Sequence, residues 1–491
     1  MAGIGFQLNK LFQKKGILNL CRAYVYAGIV SVGPMILYVL MLLGMTLVSL
    51  IAGMDRPSRE VMNCMMTYSL LVSLFSTSWH NMVVTRFIAD HLYEERYREI
   101  MPSLYGDCAL QLLIAEPLYG IFLMHAGIPL SYAVMCLWIS AVMIVVWMEM
   151  IYLMTLKDYR RIMEGFTVSV MAGFLLALVL VLFQMINVVL LMGCVVLSFG
   201  MMMVWYHALL VRYFPKSKGG EFVFLSWFPR YSQLTLIGGS ICLGLYGHLG
   251  IMYFGPLHKQ TRGLFYTAPM YDIPALFAFF SIMITIISFV SSVEVRFFPK
   301  YQRYCNAFND RGSVRDIESA EEELLDVLGQ ELLFMGIKQI IMTIIAIVAG
   351  GFVMDMLPLG MTDLGKDIFR ILCVGYGFYA IGNSTMLILL YFEDYTGALM
   401  GTASFAVISL AGTVYHILFG KYVYYGLGFS LGASALLLIS IIRLVWCTGN
   451  LQYLLLGRRK PSSGRTGRMT AWLESLGARK EMRSDEQKQR T

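Results

Sequence analysis

Charge is scarce in this 491-residue chain: Asp, Glu, Lys and Arg together make up 14% of it. A water-soluble protein of this size would need far more polar surface, so the deficit excludes a soluble enzyme or binding domain. The phosphate-cradling G-x-x-x-x-G-K-[ST] loop is missing, and no polar stretch is long enough to form a nucleotide-sugar domain. The nine cysteines stand singly, with no C-x-x-C pair. That spacing argues against a disulfide framework or a zinc site and makes them small buried hydrophobes. His248 and His416 have no second ligand at helical spacing, so neither a metal nor any other cofactor is expected. The first twenty residues hold no uninterrupted apolar core or small-residue cleavage site, so no cleavable signal peptide is expected.

What the chain does have is apolar residues in long runs. Hydrophobic residues make up 58% of it, and its mean hydropathy is +0.67. A helix needs roughly 20 residues to cross the hydrocarbon core of a bilayer. Runs of that length are predicted at 23–52, 61–85, 106–125, 130–154, 166–186, 188–211, 233–255, 273–295, 333–356, 368–392, 397–420 and 424–447. The fold class is therefore an all-α integral membrane protein of about twelve transmembrane helices.

The basic residues set the expected orientation. With the N-terminus in the cytoplasm, only Arg56, Arg59, Lys259, Arg262, Lys366, Arg370 and Lys421 of the 38 Lys and Arg residues fall outside, with Lys338 inside a span. That bias obeys the positive-inside rule, and an even number of spans returns the C-terminus to the cytoplasm. The net charge of +7 is thus a topology signal that needs no nucleic-acid partner. Residues 1–22 suit an interfacial cytoplasmic segment, with Ile4, Phe6, Leu8, Leu11 and Phe12 set against Lys10, Lys14 and Lys15.

A Pro/Gly/Lys break at Phe214-Pro215-Lys216-Ser217-Lys218-Gly219-Gly220 divides the spans six and six. The expected domains are an N-lobe of six spans over 23–215, a linker over 216–232 and a C-lobe of six spans over 233–456. A basic cytoplasmic tail, 457–491, follows. Six plus six is the arrangement of alternating-access transporters. The C-lobe carries the largest cytoplasmic interruption, 296–332. There Ser313 and Asp316 have the form of a capping box, which predicts a helix from about Val314 to Gln330. That helix is either a solvated connection or a docking point for a partner.

Polar groups at membrane depth are costly, so they are the candidates for function. Glu116 stands before Pro117 in an otherwise apolar run, where the proline could open the backbone beside a cavity. Glu149 could pair with Arg86 or Lys157. Tyr271 and Asp272 open the eighth span, where Asp272 could cap the helix or face a sugar. Trp79, in Trp79-His80-Asn81, and Tyr379 with Asn383 offer flat aromatic faces and an amide on a wall that suits a glycan. Ordinary helix packing would use the same residues.

Several segments resemble one known family in order and spacing. They are Met1-Ala2-Gly3-Ile4-Gly5-Phe6, Ala23-Tyr24-Val25-Tyr26-Ala27-Gly28, Ser31-Val32-Gly33-Pro34, Tyr271-Asp272-Ile273-Pro274, Glu294-Val295-Arg296-Phe297-Phe298 and Tyr425-Gly426-Leu427-Gly428. The chain up to about Leu456 is similar to the PelG family of Pel exopolysaccharide transporters, in the multidrug/oligosaccharidyl-lipid/polysaccharide (MOP) flippase superfamily. The resemblance implies a two-lobed MOP/MATE-like fold in the bacterial cytoplasmic (inner) membrane. It also implies export of a galactosamine-rich, Pel-like polysaccharide of the kind found in biofilms. The implied partners are a PelF-like cytoplasmic glycosyltransferase and PelD-like and PelE-like membrane proteins. Alternatives are a cation-coupled exporter or lipid-linked oligosaccharide flippase, a scaffold for a polysaccharide synthase, and an integral acyltransferase using His416.

Overall fold

The computed structural model describes residues 39–156, 159–215, 219–309, 312–356 and 361–457. The expected interfacial segment 1–22, the start of the first span and the tail beyond residue 457 lie outside the described residues. Ten helices among the described residues are long and apolar enough to cross a membrane. A shorter apolar helix, α1 (Val39–Ile51), comes before them. The 38-residue α2 (Arg56–Tyr93) contains the second predicted span. The chain is a multi-pass, predominantly helical membrane protein.

Local sequence explains where helices begin. Asp55 caps α2, its carboxylate accepting the Ser58 N–H at 3.1 Å, and Pro57 sits in the first turn, where no backbone donor is needed. α3 (Ile100–His125) follows, then α4 (Leu130–Leu156), α5 (Tyr159–Leu182) and α6 (Val188–Tyr213), the last capped by Asn187 accepting from Leu190 at 2.8 Å. α3 runs through Pro117 without interruption, so the opened backbone expected beside Glu116 is not formed.

These helices belong to one compact unit, Met35–Cys242 with Lys259–Thr267. Its core is rich in methionine: Met41, Met62, Met65, Met143, Met148 and Met192 are all buried. Unbranched thioethers fill the irregular gaps between helices. Residues 259–267 form a feature that the helical pattern did not predict, an antiparallel hairpin of β1 (Lys259–Arg262) and β2 (Phe265–Thr267). It sits on the end of α3, where the Leu264 N–H donates to the Ala126 carbonyl at 2.9 Å. Gly263 makes this possible: its φ is +55°, and a Cβ there would lie 1.7 Å from the Ala126 oxygen.

α7 (Ser232–Met252) belongs to this unit up to Cys242 and to the second unit from Leu243. The second unit continues through α8 (Pro269–Phe280), α9 (Met283–Ser292), a π-helical turn at Val293–Phe297, and α10 (Phe298–Asn309). The eighth predicted span is therefore two helices joined at Ser281–Ile282. The predicted helix from Val314 is not separate from the ninth span; both are the 43-residue α11 (Val314–Met356). Gly329 stands beside the expected end, but an isolated glycine is tolerated inside a helix and no proline follows before Met356, so the helix continues. The capping box is formed: Asp316 accepts the Ser313 N–H at 3.0 Å, and the Ser313 hydroxyl accepts the Asp316 N–H at 3.2 Å.

α12 (Asp363–Tyr391), α13 (Tyr395–Phe419) and α14 (Leu427–Gly449) complete the unit. Small residues bring them together. A Cβ on Gly428 would lie 2.3 Å from the Thr413 nitrogen, so α13 and α14 meet backbone to backbone.

Candidate functional site

In the second unit, Tyr271 and Asp272 occupy the first turn of α8. Asp272 Oδ2 accepts the Ala268 N–H at 2.9 Å, so the carboxylate does tie down the helix start. Its other oxygen, Oδ1, is buried without a hydrogen-bond partner. The Tyr271 hydroxyl lies 2.8 Å from His248 Nδ1, and both side chains are wholly buried. His248 tilts against Phe429 at 4.6 Å between centroids, and Phe429 meets Tyr376 at 4.6 Å and Phe405 at 5.8 Å. Phe405 in turn meets Tyr379 at 5.5 Å.

The fold thus joins Tyr271 and Tyr379, about a hundred residues apart in sequence, in one aromatic stack drawn from α7, α8, α12, α13 and α14. His248 links the stack to polar chemistry: its Nε2 is buried without a hydrogen-bond partner. Such an atom is unusual in a folded interior. In the sequence His248 stands out only as a candidate metal ligand without a second ligand, and nothing there marks Tyr271 as its partner. Asn383, one turn beyond Tyr379 on α12, is half-buried.

The first unit holds the other two candidates, and it does not bring them together. Trp79 packs its indole on α7, where a Cβ on Gly239 would fall 2.5 Å from the ring. Glu116 Oε1 accepts the Ser140 hydroxyl at 2.8 Å, while its neighbours Leu113, Ile114 and Leu118 face outward. The main polar network lies elsewhere. His80 and Ser76, one turn apart on α2, meet Asp107 and Gln111, one turn apart on α3, at 2.7 and 2.9 Å.

Asp107 is fully buried, and its Oδ2 has no hydrogen-bond partner. Glu149, also buried, meets His207 at 3.2 Å, and the Tyr105 hydroxyl meets the other ring nitrogen at 3.3 Å. Arg86 pairs with Asp90 at 3.0 Å, and Lys157 lies outside the described residues, so Glu149 takes a histidine partner that the sequence reading did not consider. The signal for the network was the matched i, i+4 spacing of polar residues on two apolar helices.

Among the described residues, no group of three or more His, Cys, Asp or Glu side chains could hold a metal ion. The arrangement is two helical units with aromatic and hydrogen-bonding groups inside the membrane. Solved structures share this fold. A MATE transporter in the bent conformation aligns at TM-score 0.58 and 13% identity, over 93% of this chain and 99% of that one. The eukaryotic MATE transporter AtDTX14 aligns at 0.58 and 10%, over 88% and 98%. A MOP superfamily transporter from Pyrococcus furiosus aligns at 0.55 and 12%, over 88% and 96%. No curated protein sequence matches the chain.

The fold is therefore that of the MATE-type transporters of the MOP superfamily, a class of membrane carriers. A family model described as "PelG: Putative exopolysaccharide Exporter (EPS-E)" matches residues 1–455. The chain belongs to this PelG family of exopolysaccharide exporters, which are transporters and not enzymes.

Proposed function

We propose that this chain moves a galactosamine-rich exopolysaccharide across the bacterial cytoplasmic membrane, with both of its termini in the cytoplasm. A PelF-like glycosyltransferase would deliver the polymer, and PelD-like and PelE-like membrane proteins would complete the assembly. The observation that carries this reading is the family match, which runs through all of the predicted spans. The proposed path residues are Tyr271, Asp272, Tyr379 and Asn383 in one unit and Trp79 and Glu116 in the other. Tyrosine and tryptophan offer apolar faces with a polar tip, and carboxylates and amides accept or donate hydrogen bonds to hydroxyls.

The deciding experiment uses sealed inverted vesicles holding the chain and its glycosyltransferase, with nucleotide sugar supplied outside. The expected result is new glycan that resists an added glycosidase only when this chain is present. Synthesis without protection would refute transport and favour the scaffold reading. A cation-coupled mechanism is favoured by one observation, the pairs His80–Asp107 and His207–Glu149, in each of which the carboxylate is buried. Dissipating proton and sodium gradients in the same vesicles should then abolish protection, and protection that survives would exclude it.

A further inference from the structure

The second unit contains a polar cleft of about 240 Å³ between α9, the π-helical turn and α11. Its polar lining is Ser288, Ser291, Ser292, Arg296, Glu331 and Lys338. The charges do not cancel. Glu331 is already satisfied, because Arg296 pairs with one of its oxygens and the Ser292 hydroxyl donates to the other at 2.6 Å. Lys338, two turns along the same face of α11, makes no ion pair among the described residues. A lysine within an apolar span costs about 2.5 to 3.5 kcal/mol on insertion scales, so an uncompensated one points to a functional site.

A second observation points the same way. The Ser291 side chain is 5% exposed, lines the cleft, and leaves its hydroxyl without a hydrogen-bond partner. A buried donor is left unsatisfied only at a cost, which a ligand oxygen would remove. The widened π turn supplies a third, since such turns gather at functional sites and this one places Arg296 in the lining of the cleft. The cleft continues into a hollow walled by Phe289, Val293, Phe297, Leu328 and Met335, which shares Ser288, Ser292, Glu331 and Lys338 with it. A cation and a free hydroxyl beside an apolar wall suit an amphiphile with an anionic head.

We infer that this cleft binds the phosphate group of an anionic membrane lipid, with Lys338 as its counter-ion and Ser291 as a hydroxyl donor. None of the residues lining the cleft is a proposed path residue, and its test measures lipid binding and not transport. A neutral sugar has no use for the surplus cation, whereas a phosphodiester carries one negative charge and several acceptors.

The test is a titration of the purified full chain in a neutral detergent with short-chain phosphatidylglycerol, with diacylglycerol of the same chain length and with inorganic phosphate. Phosphatidylglycerol should bind about tenfold or more tightly than diacylglycerol. Lys338→Met should remove that advantage, Lys338→Arg should keep it, and Ser291→Ala should weaken it about threefold. Equal binding of the two lipids, or unchanged binding by both Lys338→Met and Ser291→Ala, overturns the inference. Inorganic phosphate binding as tightly as the lipid would assign the site to a soluble anion and overturn the lipid reading. If Lys338→Met does not remain monodisperse, the lipid comparison and Ser291→Ala decide the matter.

Discussion

Asp394 performs two tasks with one carboxylate, and the consequences of removing it can be worked out. It caps α13 by accepting the Gly397 N–H at 3.3 Å, and it binds Arg443 of α14 through two hydrogen bonds of 2.6 and 3.2 Å. The side chains are unequally sheltered, Asp394 being 2% exposed and Arg443 29%. Removing one partner of a buried pair costs about 3 to 5 kcal/mol, because the other charge is left without compensation.

Arg443→Met leaves the better-buried charge bare and should fall in the middle of that range, about 4 kcal/mol. Asp394→Ala leaves a cation that can reach toward water along its own stem, so about 3 kcal/mol is expected, of which the lost cap accounts for about 1. The double variant has no orphaned charge. It should lose only about 1 to 2 kcal/mol and so be more stable than either single variant. Thermal denaturation of the purified chain in one detergent, followed by the monodisperse fraction remaining, gives the ranking directly. A double variant that loses the sum of the two single losses would refute the coupling.

Glu116→Gln, Asp272→Asn and Asn383→Ala should each reduce glycan protection in vesicles while the amount of inserted protein stays constant; normal export by all three would sink the path assignment. Gly428→Ala forces a Cβ against the Thr413 backbone, which should cost about 1 to 3 kcal/mol and lower the denaturation midpoint in the same assay. The Asp316 carboxyl is held below the ordinary carboxylate range by the Ser313 hydroxyl and N–H. Because its folded-state pKa is depressed, its contribution is complete above about pH 4 and is lost as pH falls through the lowered value. Pepsin cleavage near Val314 should therefore rise only in strong acid, and Ser313→Ala should bring it on at higher pH. The Glu323 carboxylate, held down by Lys300 and Arg303, ties α10 to α11 at the surface. High salt should loosen that contact and speed amide exchange in residues 314–323.

The sequence was most readable where one residue's chemistry acts on its neighbours. Ser313 and Asp316 form a capping box because both partners lie within one turn. The apolar runs marked the helices because lipid allows few alternatives to a helix with satisfied backbone groups. Long-range pairings were less readable. Charge alone offers Arg86 or Lys157 to Glu149, yet it meets His207, on a helix that the sequence does not show to be its neighbour. The helix at Val314 was assigned an end near Gln330 because its polar composition gives way to apolar residues there. Composition changes at that point but backbone geometry does not, since the isolated Gly329 is tolerated inside the helix and no proline follows before Met356.

By itself the sequence determined that this protein lives in a membrane as a bundle of helices, because lipid forbids any other use for so many apolar runs. Its ordered motifs also carried the resemblance to an exporter family. Only the tertiary structure decided which polar groups are partners. Hydrogen bonds such as Tyr271 to His248 and His80 to Asp107 join residues on different helices, and which faces meet is set by where glycine lets backbones approach. That selection depends on packing between segments far apart in the chain, and a residue-by-residue reading has no access to it.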